Sequence, residues 1–231
     1  MHDIKSSAIF RDIYLFFHFK CITIIIGDEI MNNVSYRLPK TKTGQKTFDK
    51  IIRAGKKLFA GNGFQATSIN DIIAKARVAA GTFYIYFDNK LALYLYLLDL
   101  YRTSIRKASS NAIVGLSSRQ AMEREGLKAF IMFVKEDPLA YKLIWESLFV
   151  DFNIFKEYYM HFAESYMYHL QKFVDLGEVR NDIDIETVSY VLMGISNFVG
   201  LQILFREKVS DQDVDFVVDE AMKILNAGLF T

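Results

Sequence analysis

The sequence predicts an all-α protein. Only Pro39 and Pro138 interrupt its 231 residues, and apolar side chains recur at three- and four-residue spacing over long stretches with no internal repeat. A hydrophobic content of 52% supplies enough material for a large core or for a small domain beside a larger one.

Residues 1–36 form an extension with an apolar run from Ile13 to Ile26, broken by His18 and Lys20. The run is shorter than the roughly 20 apolar residues that span a bilayer, and no small-residue cleavage site follows it. Met31 opens a polar stretch, MNNVSYRLPKTKTGQK, and is the expected start of translation.

From Lys46 the pattern turns helical, with Phe48, Ile51, Ile52, Leu58 and Phe59 on one face and Lys50, Arg53, Lys56 and Lys57 largely elsewhere, until Gly61-Asn62-Gly63 stops it. Ser68 precedes Ile69 and has Asp71 three residues later, a capping-box arrangement that opens a brief second helix. A turn at Arg77-Val78-Ala79 leads to a new amphipathic stretch, Ala80 to Phe87. The order is helix, short turn, helix, the geometry that lays a recognition helix in the DNA major groove. Phe83 and Phe87 are spaced to face a three-helix core, which leaves Thr82, Tyr84 and Tyr86 polar-tipped and outward. Gly81, next to Ala80, lets a backbone come close.

Asn89 is placed to cap a long helix over 90–110, with Leu91, Leu95, Leu98 and Tyr101 inward. Pro138 suits a first helical position after Asp137, and further helices are expected over 120–135, 138–150, 154–176, 184–206 and 211–228. Gly177 and Gly228 fall where helices end.

The formal charge of +1 conceals an asymmetry. Residues 37–107 carry 14 Lys and Arg against 4 Asp and Glu, a net of +10, whereas residues 120–231 carry 10 against 19, a net of −9. A basic first part is the electrostatic footprint of a phosphate-binding module, and DNA repels an acidic remainder. Arg37, Lys40, Lys42 and Lys46, separated by Pro39 and Gly44, read as a flexible basic arm suited to an adjacent minor groove.

The stretch LFAGNGFQATSINDIIAKARVAAGTFYIYFDNKLAL resembles the DNA-binding signature of the TetR family of bacterial regulators, GTFYIYF and the following Lys90 being its most specific part. The resemblance implies a three-helix DNA-binding domain over 37–91, joined to a larger helical ligand-binding and dimerisation domain over 92–231. It also implies that Thr67 and Ser68 meet phosphates, that Thr82 and Tyr84 face bases or phosphates, and that Tyr86 and Lys90 grip the DNA backbone. Lys46, Arg77, Ala80 and Gly81 complete the expected DNA-binding set. The family commonly has Gly where Arg77 stands, Ser where Ala79 stands and Glu where Leu91 stands. Ala79 cannot cap the recognition helix, and Arg77 brings a charge able to reach a phosphate.

Between Phe130 and Phe173 there are 13 aromatic residues in 44 positions. Most belong to a core, but their concentration suits an apolar pocket for a flat hydrophobic effector, with Tyr141, Trp145, Phe149, Phe162 and Tyr166 as its expected lining. The segments Asp184 to Phe205 and Asp211 to Leu229 look made to pack together. NDIDIETVSYVLMGISNFVGLQ resembles the family's dimerising segment, which implies a homodimer through about 184–229.

The lone Cys21 excludes a disulfide framework and fits a reducing cytoplasm. Glu157, His161, Glu164 and His169 fall along one helical face, but no second cluster completes a metal site. No Gly-rich phosphate loop or nucleophile-base pair supports an enzyme, so neither metal nor other cofactor is expected. The combined expectation is a ligand-responsive repressor that binds a palindromic operator. A helical ligand carrier or enzyme with a basic module, and a regulator anchored to the membrane by residues 1–30, are the rival readings.

Overall fold

The structure, a computed structural model, describes residues 36–230, so the apolar run and the expected start at Met31 lie outside the described residues. Among those residues there are nine helices and no strand; Tyr36 with Phe87 and Val179 with Phe230 form isolated antiparallel bridges. In chain order the helices are α1 (Lys42–Asn62), α2 (Ile69–Ala76), α3 (Ala80–Tyr86), α4 (Lys90–Ala112), α5 (Arg119–Glu136), α6 (Pro138–Val150), α7 (Phe152–Asp175), α8 (Ile185–Leu204) and α9 (Asp211–Gly228).

The all-α expectation holds. One boundary differs in a way that matters: α1 begins at Lys42, because the Thr41 hydroxyl accepts the Gly44 N–H at 3.0 Å and so satisfies a helix-end donor. Lys42 and Lys46 are therefore helical residues and not parts of a flexible arm. Caps set the other starts too. Ser118 accepts from Ala121, Asp184 from Thr187, and Ser210 and Asp213 form a reciprocal capping box, each contact contributing about 1 kcal/mol.

The described chain divides into two compact units. The first comprises residues 36–102 and Leu139–Tyr158; the second comprises Thr103–Pro138 and residues 159–230. The first is built on Phe48, Ile51 and Phe59 of α1, Ile72 of α2, Phe83 of α3, and Leu93, Tyr94 and Leu97 of α4, all buried. Burial of each such side chain contributes roughly 1.5–3 kcal/mol.

In the second unit, α8 and α9 both lie chiefly against α5 and touch one another less than the sequence pattern suggests. Leu127 and Ile131 of α5 meet Leu192 and Ile203 of α8 and Val214, Val218 and Leu225 of α9 in one core. Ion pairs along the α5–α9 edge add to it: Arg124 to Asp219 at 2.8 Å, Lys128 to Asp215 at 2.5 Å and Lys135 to Asp211 at 2.5 Å. By length and composition α8 is apolar enough to cross a membrane. Its Leu192, Met193, Gly200 and Ile203 are buried within the unit, whereas Val191 and Phe198 are exposed.

A buried ion pair between Arg119 and Glu123 occupies the same unit, with the Arg119 N–H donating to the Glu178 carboxylate at 2.6 Å. Burial first, then the cations Arg119 and Lys172, lower the His169 pKa from 6.5 to about 4. Because the folded chain disfavours the proton, this histidine contributes stability that is full above pH 6.5 and lost as pH falls toward 4. The expected loss is up to about 3 kcal/mol. Denaturant titrations of the native chain and of His169→Gln at pH 7 and pH 5 check this: the native chain should lose more stability than the variant over that interval.

Candidate nucleic-acid interface

The candidate interface starts with the turn that feeds the recognition helix. At Arg77 the chain adopts φ 55°, ψ 52°, a left-handed conformation that closes α2, with the Arg77 N–H donating to Ala74 O and the Val78 N–H to Ile73 O. A side chain there costs on the order of 1 kcal/mol relative to glycine, which gives the departure at this position a physical consequence. Ala79 then precedes α3 without any side-chain cap, and the Thr82 N–H returns to Ala79 O at 2.9 Å.

On α3, Phe83 and Tyr86 turn inward, while Ala80, Gly81, Tyr84 and Ile85 face out and Thr82 is half-buried. Tyr84 is 51% exposed and Ile85 57%. Ile85 belongs to this outward face although its apolar side chain kept it out of the expected set; the spacing from Phe83 was the available signal. A Cβ added at Gly81 would meet nothing within 4 Å, so nothing inside the protein requires glycine there.

Three expected DNA-binding residues are engaged within the protein. Thr67 is 1% exposed and its hydroxyl donates to Gly63 O at 2.8 Å. The Tyr86 hydroxyl donates to Gly44 O at 3.2 Å, and its ring meets Phe48 edge-on at 5.3 Å. The Lys90 ammonium donates to Phe64 O at 2.7 Å and Thr67 O at 2.8 Å, and lies 4.3 Å from the Phe64 ring centroid. Ser68 remains exposed, sharing its hydroxyl and N–H with Asp71 in the expected capping box. The Ser68 hydroxyl is the leading cause of the lowered Asp71 pKa.

Lys90 and Glu146 hold the same loop. While Lys90 draws in its carbonyls, the Glu146 carboxylate on α6 accepts the Phe64 N–H at 2.9 Å, 82 residues away in sequence. Gly63, with φ 83°, admits that carboxylate, since a Cβ there would lie 3.0 Å from it. Tyr94 of α4 donates to Leu143 O of α6 at 2.6 Å, its hydroxyl pKa raised by burial and by Glu146.

The segment before α1 is likewise tied down. Arg37 donates its N–H to Tyr86 O at 2.8 Å and pairs with Asp88 at 2.9 Å, which places a cation at the C-terminal end of α3. This contact removes Arg37 from a flexible arm. Lys40, Lys42 and Lys46 stay exposed.

An outward recognition helix preceded by a basic turn, on a three-helix core held by a loop clamp, can enter a major groove. Residues 51–97 match the family of bacterial regulatory proteins described as the tetR family. Over those residues the chain is similar to the TetR family. It is 27% identical over 120 residues to the HTH-type transcriptional activator FasR of Mycolicibacterium smegmatis, covering 52% of each chain. Thus it spans about half the length of that relative. A TetR family transcriptional regulator from Chloroflexus aurantiacus has the same fold, with a TM-score of 0.65, 21% identity and coverage of 88% of this chain and 98% of that one. So does the ketosteroid transcriptional regulator KstR2 of Mycobacterium tuberculosis, at TM-score 0.61, 13% identity, 84% and 97% coverage. The TetR fold accounts for the N-terminal helix-turn-helix domain and the helical C-terminal domain together.

The expected effector lining is distributed over both units. Tyr141, Trp145 and Phe149 lie in the first, where Tyr141 is buried edge-on to Trp145 at 6.4 Å with its pKa pushed up to about 12, and Phe149 is exposed. Phe162 and Tyr166 lie in the second. Phe162 carries the Arg106 guanidinium on its face at 5.1 Å, and Tyr166 stands beside the Arg119–Glu123 pair, its hydroxyl 3.4 Å from Glu123. The surroundings of Tyr166 are thus ionic as well as aromatic.

Two substitutions test this geometry. Lys90→Met removes a charged donor from two carbonyls and should destabilise the first unit by about 2–3 kcal/mol in a denaturant titration; an unchanged midpoint would make Lys90 dispensable to the loop. Arg77→Gly relieves the left-handed turn and should stabilise by about 1 kcal/mol in the same assay.

Proposed function

We propose that this protein is a ligand-responsive transcriptional regulator that binds a palindromic operator as a homodimer in the cytoplasm. The outward face of α3 carries the reading: Gly81 has no internal reason to be glycine, and Tyr84, Ile85 and Thr82 surround it on a helix seven residues long. Tyr84 and Thr82 supply hydroxyls for phosphates, and the Ile85 and Thr82 methyls suit a thymine methyl. Ser68, Arg77 and Lys46 serve the phosphate backbone. Thr67, Tyr86 and Lys90 act by holding the module in shape, and the lysine contacts to carbonyls make that role physically concrete.

A second copy of the chain covers the exposed apolar residues of α8 and α9. Val191, Phe198 and Phe205 recur at seven-residue intervals along α8 and its end, Phe198 being 67% exposed, and Ile224 of α9 is 72% exposed. Such a stripe on a soluble monomer marks an interface. Two recognition helices then fall about one DNA turn apart. A small hydrophobic effector contacting Tyr141, Trp145, Phe149, Phe162 or Tyr166 favours one of two dimer states and lowers operator affinity by its differential binding.

Fluorescence anisotropy with promoter DNA from beside its own gene tests the reading. Gly81→Ala should leave the fold as stable or up to about 1 kcal/mol more stable while lowering operator affinity at least tenfold, because a methyl group then stands between helix and DNA. Unchanged affinity would remove α3 from the contact. Phe198→Glu should give a monomer by sedimentation equilibrium and abolish cooperative operator binding; a dimeric variant would place the interface elsewhere.

A further inference from the structure

Between α1 and α2 is a cleft of about 360 Å3 lined by Lys50, Arg53, Ala54, Lys57, Lys75, Ala76 and Arg77. Lys50, Arg53 and Lys57 follow one another at helical spacing along a face of α1, and Lys75 and Arg77 come from the end of α2. The two alanines bring the helices together without filling the space between the longer side chains. Among the described residues no carboxylate pairs with any of these five cations.

The carbonyl end of α2 offsets part of the charge of Lys75 and Arg77, but the three cations of α1 lie within a helix and gain no such compensation. Like charges around one concavity repel unless an anion is supplied. A concave site of this volume is at the small end of ligand pockets and offers charge to several oxygens at once.

We infer that the α1–α2 cleft is a phosphate-chain binding site, taking two or three consecutive phosphate groups between the two helices. The cleft involves Lys50, Arg53, Lys57 and Lys75, none of which the operator-reading face uses, and Arg77 alone joins the two. Consecutive phosphates come from two sources, a stretch of DNA backbone beside the strand read by α3, or a free polyphosphate such as that of a nucleotide. The DNA source rests on the operator reading above, and the free polyphosphate does not.

The test uses the full chain, the charge-neutral variant Lys50→Gln/Arg53→Gln/Lys57→Gln, and the charge-keeping variant Lys50→Arg/Arg53→Lys/Lys57→Arg. All three changes are on exposed positions, and circular dichroism with sedimentation verifies that fold and assembly are kept. Operator and scrambled duplexes are titrated from 50 to 300 mM salt, and inorganic tripolyphosphate is titrated by calorimetry. If the cleft takes DNA backbone, the neutral variant loses affinity equally for both duplexes and its log–log salt slope falls by about 2–3, at about 0.9 per phosphate. If it takes a free polyphosphate, tripolyphosphate binding falls at least tenfold and the DNA salt slope stays as in the native chain. In either case the charge-keeping variant retains most of the binding. A neutral variant equal to the native chain in both titrations overturns the site. Should the native chain not prefer the operator, α3 reading fails alone, and the tripolyphosphate and scrambled-duplex titrations still decide the cleft.

Discussion

The Lys90 ammonium, held by the carbonyl oxygens of Phe64 and Thr67, is the contact on which the arrangement of the first unit turns. Those carbonyls belong to the loop that ends α1 and starts α2, and the same loop gives its Phe64 N–H to Glu146 of α6. Donor and acceptor ends of one short segment are thus satisfied by opposite charges from two other helices. A half-buried backbone left without these partners would cost several kcal/mol, so the loop has a single low-energy position. Ser68 is then fixed as the cap of α2, and the left-handed turn at Arg77 aims the seven residues of α3.

A helix of that length is not stable by propensity alone. It persists because Phe83 and Phe87 are buried, the Tyr86 hydroxyl reaches Gly44 of α1, and Arg37 closes its carbonyl end. Polar tips that the sequence pattern turns toward solvent are spent on holding the reading face, and that face is correspondingly small and uncharged: Ala80, Gly81, Tyr84 and Ile85. The exposed cations stand instead on α1, on the end of α2 and before α1.

Local signals made the helices legible. The Ser68–Asp71 box, Asn89 as a cap with its side chain accepting the Ala92 N–H, and Pro138 at a helix start each act within a few residues and can be read from a string of letters. The start of α1 was harder, since Pro39 and Gly44 look like breakers and only the Thr41 hydroxyl shows that the helix has begun. Long-range uses of polar atoms were not legible. Nothing near Lys90 in sequence reveals Phe64, 26 residues earlier, and nothing near Glu146 reveals the same loop 82 residues away. For the same reason Tyr86 and Thr67 read as surface residues, and the ion pair at Arg119 and Glu123 gave no sign that Tyr166 would stand beside charge.

Methylation protection at guanine N7 on the chain's own promoter DNA probes whether α3 enters the major groove, because N7 lies on the floor of that groove. Entry of α3 into the groove gives two protected half-sites about 10 base pairs apart, related by a two-fold axis, with protection lost for Gly81→Ala. Uniform weak protection along the duplex, insensitive to that substitution, would contradict it and leave the basic unit a sequence-blind phosphate binder.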